Sequence, residues 1–144
     1  MKGRKRYGSW WGRLARLVVL ALLASLACES SGDARRVTEA FYDAYGRNRM
    51  EGVWDLYAPE FFEQHPRSVW SRQLQQLRRN VGAYRSHRLV SQRMATTEEK
   101  GLAFTVLTYE VQYVKQQTTE TFTIAGANGA RPRIISHDVR YVPQ

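Results

Sequence analysis

One carboxylate of this 144-residue sequence is predicted to lie among apolar side chains, where it could act as a base. In residues 118–125, Glu120, Phe122 and Ile124 alternate with threonines, and a period of two places them on one face of a strand. A carboxylate removed from water becomes a stronger base, or it pairs with a cation such as Arg93. A salt-bridged or hydrated Glu120 at the rim of the core is the commoner arrangement in proteins, and it stays open as the alternative.

A second strand is predicted to supply hydroxyl groups to the same face. Tyr109, Val111 and Tyr113 alternate with polar residues, and a two-residue loop of Gln116 and Gln117 would place Tyr113 opposite Glu120. A carboxylate base beside a tyrosine donor in an apolar pocket suits isomerisation chemistry. The sequence offers no second acid on this face, and tyrosines that simply pack in a core are common, so no catalytic residue is assigned. The candidate pocket residues are Tyr109, Tyr113, Glu120, Phe122 and His137.

The amino-terminal segment is typical of a secretory signal peptide. Six Lys or Arg residues precede Leu17, and the eleven residues 17–27 then carry no charge. Spanning a bilayer takes about 20 apolar residues, so this segment is too short to cross as a helix. A basic start, a short apolar stretch and small residues before a cut are the features of a signal peptide. A buried core helix is the alternative, disfavoured because uncompensated cations flank an element with no polar face.

The only cysteine, Cys28, directly follows this apolar segment. Residues 24–28, with the sequence Ala-Ser-Leu-Ala-Cys, resemble a bacterial lipobox, although Leu26 lies one place later than in the most typical boxes. The resemblance implies that the thiol takes a diacylglycerol and that palmitate-type acyl chains anchor the protein. A plain cleavage site with an incidental thiol is the alternative. The predicted division is a signal peptide over 1–27, a lipidated cysteine and short tether over 28–32, and a folded domain over 33–144.

Charge and histidine spacing argue against two other classes of partner. The formal net charge is +9, but from Cys28 onward 16 basic residues face 13 acidic ones, a net of +3. Nucleic-acid binding needs a dense positive face, so no nucleic-acid partner is expected. The spacings of His65, His87 and His137 match no metal-ligand pattern, and no metal or other cofactor is predicted.

Helices are predicted first along the chain and strands second. Asp33 is a plausible N-cap, Gly46 ends or bends the first helix, Pro59 closes the second, and Pro66 suits the first turn of a third. The third helix buries Trp70, Leu74, Leu77 and Val81 and ends near Gly82. Strands are expected over residues 89–94, 102–114, 118–125 and 134–142. The predicted class is α+β, with three helices packed on a curved, mostly antiparallel four-stranded sheet.

The order of these elements is similar to that of cystatin-like, cone-shaped α+β domains of the nuclear-transport-factor-2-like superfamily. The resemblance covers residues 34–143 and includes a group of exported bacterial proteins of unknown function. It implies a curved sheet wrapped around helices, with a cavity that some members use for ligands or catalysis while others dimerise through the sheet. It is carried by Phe41, Trp54, Trp70, Gly82 and the segments 109–113, 120–124 and 133–137.

The sequence therefore predicts a lipoprotein of the bacterial cell envelope, facing the periplasm and anchored to the inner or outer membrane through Cys28. We expect the domain to act as a binding or protein-interaction module, with an envelope protein or a second copy as its partner. The threonine-rich face of the sheet is the expected contact surface. The alternative is a small-molecule pocket protein or isomerase-like enzyme that uses Glu120.

Overall fold

Four helices precede four strands in the residues that the computed structural model describes, 32–97, 102–126 and 131–143. This order confirms the α+β class. None of the helices described there is long and apolar enough to cross a membrane. The signal peptide and Cys28 lie outside the described residues. The elements are α1 (32–46), α2 (Met50–Trp54), α3 (Pro59–Gln64), α4 (Arg67–Val81), β1 (Tyr84–Thr96), β2 (Ala103–Tyr113), β3 (Gln117–Ala125) and β4 (Arg133–Tyr141).

The prediction of three helices is wrong, because the described residues contain a fourth. Pro59 begins α3 instead of closing the preceding helix: Ala58 is extended at φ −69° and ψ 147°, and a proline fits the first helical turn without losing a hydrogen bond. The chain before it leaves the helical path at Trp54, and Tyr57 forms a parallel bridge with Ile134 of β4. Ala58 N–H also donates to the Ile134 carbonyl at 2.9 Å. Pairing with a distant strand thus ends the second helix before Tyr57, and α3 forms where the sequence predicts no helix, between Pro59 and Pro66.

The start of α1 also differs from the prediction. Residue 32 is already helical, so Asp33 lies within α1 and not at its N-cap. Asp33 remains favourable there, because a carboxylate near a helix N-terminus interacts well with the unpaired N–H groups. Its side chain also pairs with Arg36 at 2.7 Å, one turn further along.

The sheet is a meander in the order β1-β2-β3-β4, with every neighbouring pair antiparallel. The predicted loop at Gln116 and Gln117 is wrong in its position: the last β2–β3 pair is Gln112 with Gln117, and the chain turns just after Tyr113, whose N–H donates to the Gln116 carbonyl at 3.1 Å. Tyr109, not Tyr113, therefore lies opposite Glu120. The register differs from the predicted one by four residues along β2. Because four is an even number, every side chain keeps the face that the alternation predicted.

Strand β1 is longer than predicted, beginning at Tyr84 and continuing to Thr96. Its first residues, Tyr-Arg-Ser-His-Arg, show no simple alternation, and the pairing with β2 is irregular between Tyr84 and Ser86 and again between Leu89 and Ser91. Irregularities of this kind shift the alternation by one residue, which hides the strand from a period-two search. The hydrogen bonds offered by the long β2 strand account for the extra length.

The helices cover one face of the sheet, which we call the inner face. Helix α4 buries Trp70, Leu74, Leu77 and Val81, as its spacing predicts, and ends at Gly82, whose φ of 89° favours glycine. Strands β2 and β3 send their alternate residues into the same core. Fully buried core residues from the sheet are Leu107, Tyr109, Val111, Tyr113, Phe122 and Ile134.

The other face, which we call the outer face, keeps partial exposure along β3, where each odd-numbered residue from Gln117 to Ala125 is half-buried. Thr119, Thr121 and Thr123 form its centre, and Thr108 of β2 lies opposite Thr121 with their hydroxyl oxygens 3.3 Å apart. The pattern confirms the predicted separation of an apolar face from a threonine-rich face in β2 and β3.

Candidate functional site

Glu120 is completely buried at the centre of the inner face. Strand β3 points its side chain toward the helices because Glu120 shares the parity of Thr118, Phe122 and Ile124, which are all buried. Its cross-strand neighbours are Tyr109 on β2 and Val139 on β4. The candidate base therefore lies in the core itself, deeper than the rim that the sequence left as the alternative.

Four side chains, one each from α1, β2, β3 and β4, surround the Glu120 carboxylate. The Tyr113 hydroxyl donates to Oε1 at 2.7 Å, and the Thr118 hydroxyl donates to the same oxygen at 3.1 Å. The Tyr42 hydroxyl of α1 donates to Oε2 at 3.2 Å, and Nε2 of His137 lies 3.3 Å from Oε2. A carboxylate accepts about two hydrogen bonds per oxygen, so the protein itself occupies its full accepting capacity.

His137 extends the cluster to a third tyrosine. An ionised carboxylate only accepts, so Nε2 of His137 carries the hydrogen that faces Glu120, and in the neutral imidazole Nδ1 then accepts from the Tyr57 hydroxyl at 2.8 Å. The ring stacks on Phe122 with a centroid distance of 4.0 Å. His137 keeps 8% exposure as a residue but none on its side chain, so the exposed part is backbone. No solvent path therefore reaches the imidazole.

The hydroxyls around Glu120 are held as donors. Burial raises the pKa of Tyr42 and of Tyr113 well above the ordinary value, and the negative charge of Glu120 raises each of them further. Burial is also the main cause that raises the pKa of Tyr57. Tyrosines in this state stay protonated near neutral pH. The cluster accordingly stabilises a buried carboxylate and presents no open position to a substrate.

The predicted pocket residues are brought together only in part. Tyr113, Glu120 and His137 hydrogen-bond within one cluster, and Phe122 supports it by stacking on the imidazole. Tyr109 is buried on the same face, but its hydroxyl lies 2.6 Å from Thr38 Oγ1 and joins a different hydrogen bond. Among the described residues, the five predicted pocket residues therefore do not form a single hydrogen-bonded group.

Arg93 does not pair with Glu120, which corrects the predicted ion pair. It is exposed in β1 and lies opposite Val106, on the outer face. The carboxylate is stabilised by hydroxyls and an imidazole in place of a guanidinium. Asp138, expected on the face opposite to Glu120, is exposed and pairs with Arg140 at 3.0 Å.

Three members of the cluster escaped the sequence analysis. Thr118 shares the parity of Glu120, so the alternation of β3 already contained the signal. Tyr42 lies one position after Phe41, a member of an apolar stripe whose spacing also includes Ala40; the buried side of α1 instead includes Thr38 and Tyr42, and Ala40 is exposed. Tyr57 precedes Pro59, which the sequence predicts to close the second helix. Only the bridge between Tyr57 and Ile134 brings its hydroxyl to His137.

A shallow groove of about 220 Å³ lies between α4 and β4. Trp70, Leu74 and Leu77 form one wall, and Val139 and Tyr141 lie on the other. Val139, the cross-strand partner of Glu120, and His137, whose fully buried side chain contacts Glu120, are both among the residues that line the groove. The groove is the open space nearest to the cluster among the cavities in the described part of the chain.

The histidines do not combine into a metal site within the described residues, where no group of three or more His, Cys, Asp or Glu side chains gathers. His87 contacts Glu39 through Nε2 at 2.9 Å and the Tyr84 hydroxyl through Nδ1 at 2.6 Å. His65 ends α3 and stacks near Phe61 at 4.7 Å. Each histidine thus serves a separate local contact.

The fold and the cluster define an α+β domain with an antiparallel four-stranded sheet and a sealed, hydroxyl-ligated carboxylate. Comparisons of the chain with protein-family models, with curated proteins and with solved structures find no match. The resemblance to nuclear-transport-factor-2-like domains therefore stays a prediction. The function has to be argued from the geometry of the domain and from the amino-terminal sequence.

Proposed function

We propose that the protein is a lipoprotein of the bacterial cell envelope whose periplasm-facing domain acts as a binding or protein-interaction module. The observation that carries this proposal is the saturated carboxylate: each oxygen of Glu120 accepts from protein groups, and no atom of the residue is exposed. A general base must come within hydrogen-bond reach of its substrate. A sealed Glu120 favours a structural role for the cluster. We therefore expect the functional contacts to lie on the surface of the domain.

The outer face is the surface that best suits a protein partner. It presents the hydroxyls of Thr108, Thr119, Thr121 and Thr123, flanked by an ion pair between Arg88 and Glu110. Such a face is polar enough to be hydrated on its own, and its hydroxyls can hydrogen-bond to another sheet or to an envelope protein. The helices on one face and the free sheet on the other also support a cystatin-like arrangement, in which related domains pair through the sheet.

The anchor at Cys28 is tested by replacing the thiol. The wild-type protein should fractionate with membranes, enter the detergent phase and incorporate labelled palmitate. Cys28→Ala should leave a soluble or uncleaved protein without the label, because the acyl chains have no attachment point. Ser30→Ala is the matched control and should behave as the wild type. Unchanged palmitate labelling of Cys28→Ala would exclude this anchor.

The contact surface is tested by photo-crosslinking in whole cells. A photoreactive amino acid at Thr121, in the centre of the outer face, should form a crosslinked species of one discrete mass. Twice the chain mass would identify a second copy, and another mass a different envelope protein. The same amino acid at Gln75, exposed on α4, is the control. Equal crosslinking from both positions, or none from Thr121, would contradict the outer face as the interface.

The second candidate function is a small-molecule pocket, favoured by the groove between α4 and β4. Its apolar wall and the buried Nε1 of Trp70, which has no acceptor at hydrogen-bonding geometry among the described residues, suit an apolar ligand with one acceptor. Native mass spectrometry of residues 29–144 should then show a retained extra mass. Gln73→Trp at the groove should abolish it, whereas Gln75→Trp, two residues on, should not. A bare mass in both would reject the pocket.

A further inference from the structure

We propose that the end of the domain where α1 begins lies against an anionic lipid bilayer, an inference that rests on the lipid anchor at Cys28 proposed above. We call this the proximal end. It comprises the first turn of α1, the end of β1 and the starts of β2 and β4. The partner is the membrane surface itself, recognised by basic and exposed apolar side chains.

The length of the tether selects this end. Cys28 would lie in the membrane and residue 32 is already helical, so four peptide steps of about 3.6 Å allow at most roughly 14 Å between them. Val114 marks the opposite end of the domain. It follows Leu102 by 12 residues, and 12 residues of extended strand span about 40 Å. The negative surface potential of an anionic bilayer falls off within a Debye length of about 8 Å, so only the proximal end comes close enough to experience it.

The strand ends gather around the first turn of α1. Ala34 lines a small cavity together with Met94 of β1, Phe104 of β2 and Pro132 just before β4. Two large apolar side chains stay exposed here: Met94 at 49% and Leu102 at 56%. Exposed apolar side chains at the point nearest to the bilayer can enter the headgroup region.

The proximal end is also basic. Arg36 and Arg131 line one depression there, and Arg35 donates through Nε to Gln92 of β1 at 2.6 Å. Its five arginines face two aspartates within the described residues, and the intervening sequence 98–101 adds two glutamates and one lysine. The remaining net positive charge suits anionic headgroups. The arginines are residues 35, 36, 93, 131 and 133, and the aspartates are residues 33 and 55.

Charge alone would not choose this end, because Arg78, Arg79 and Lys115 gather at the opposite one, where the Lys115 ammonium donates to the Arg79 carbonyl at 3.1 Å. The short tether to Cys28 distinguishes the two basic ends, because only the proximal end lies close to the anchor. A lipid anchor combined with a basic patch holds a protein more firmly than either signal alone. With the proximal end on the bilayer, the strands rise away from it and the outer face stays accessible to a protein partner.

The test places a fluorophore at either end of β2 in the full-length, lipidated protein. Leu102→Cys and Val114→Cys are matched, since these residues are 56% and 50% exposed at opposite ends of one strand. Each variant is labelled with an environment-sensitive nitrobenzoxadiazole probe and reconstituted into phosphatidylcholine vesicles with or without phosphatidylglycerol. Quenching by a lipid-borne nitroxide and by aqueous iodide is then measured.

We expect the probe at position 102 to be quenched several-fold more by the nitroxide, and several-fold less by iodide, than the probe at position 114. The difference should grow with phosphatidylglycerol. Arg36→Gln combined with Arg131→Gln should reduce it several-fold, whereas Arg79→Gln at the opposite end should leave it unchanged.

Two results would overturn the proposal in distinguishable ways. Acylated Cys28 carries no free thiol, so each variant should take one label. Two labels per chain would mean that the anchor itself is absent, and the orientation would fail with it. One label with equal quenching at both positions, or stronger quenching at position 114, would leave the anchor intact and reject the proximal end as the membrane-facing surface.

Discussion

Glu110 and Glu120 lie on adjacent strands of one hairpin, yet they occupy opposite faces of the sheet. Glu110 points to the outer face, where its side chain is 36% exposed, and pairs with Arg88, whose side chain is 73% exposed. Glu120 points to the inner face, has no exposed atom and accepts only from hydroxyls and an imidazole. The same side chain is thus a solvated surface charge at one position and the centre of a buried network at the other.

The comparison shows that residue type alone does not indicate a functional carboxylate in this protein. Around Glu110, water screens the charge and the ion pair contributes little to stability. Around Glu120, every donor is buried too, so the carboxylate and its partners depend on one another. The four predictions below test this difference between the two faces, beginning with the largest expected effect.

At alkaline pH the whole fold should be lost in one transition. Burial raises the pKa of Tyr42, Tyr57 and Tyr113 above the ordinary value of 10.0. The folded state therefore holds these protons more tightly than the unfolded state, so their stabilising effect is complete below pH 10 and is lost as the pH rises above it. Tyrosinate absorbance at 295 nm and the loss of near-ultraviolet circular dichroism should share a midpoint. Ionisation of the buried tyrosines in a protein with an intact dichroism spectrum would contradict the sealed inner face.

Removing the buried carboxylate should have an effect as large as any single substitution considered. Glu120→Ala leaves Tyr42, Tyr113, Thr118 and His137 without an acceptor, and we expect a loss of about 3–5 kcal/mol in the free energy of unfolding, measured with urea at pH 7. Glu120→Gln keeps the shape and one acceptor, so its loss should be smaller. Glu110→Ala is the outer-face control and should cost at most about 1 kcal/mol. Equal losses at the two positions would remove the distinction between the faces.

Helix α4, which covers the inner face, should show the same contrast between a buried and an exposed residue. Trp70 is 8% exposed and packs against Tyr57 and His137. Trp70→Ala should lower the free energy of unfolding by about 3–5 kcal/mol through lost contacts and a cavity. Its neighbour Val69 is 36% exposed, so Val69→Ala should change stability by about 0.5 kcal/mol or less. A loss well under 1 kcal/mol for Trp70→Ala would mean that α4 does not cover the cluster.

A single hydroxyl should contribute the smallest of these effects. Tyr113→Phe removes the donor at 2.7 Å from Glu120 Oε1 and leaves the ring in place, so we expect a loss of about 1–3 kcal/mol in urea unfolding. Tyr141 is 48% exposed, and Tyr141→Phe should stay within about 0.5 kcal/mol of the wild type. Equal free energies of unfolding for the two variants would show that the Tyr113 hydroxyl is hydrated by water and does not depend on Glu120.

Much of the sheet could be predicted because period-two alternation is a local property. The parity of Glu120, Phe122 and Ile124 placed them on the inner face even though the predicted loop was misplaced, since an even shift in register leaves each face unchanged. The buried stripe of α4 followed from its spacing for the same reason. Helix α3 and the full length of β1 could not be predicted, because Pro59 is compatible with an end or a start and the irregularities in β1 disrupt its alternation.

By itself, the sequence determined the α+β class, the two faces of the β2–β3 hairpin and the buried side of α4, because each depends on residues that are near one another in the chain. Only the tertiary structure decided which side chains donate hydrogen bonds to the Glu120 carboxylate. Tyr42 is 78 residues from Glu120, and Tyr57 is 80 residues from His137. A buried carboxylate takes whatever donors the packing brings within hydrogen-bond distance, and that choice is made only when helices and sheet come together.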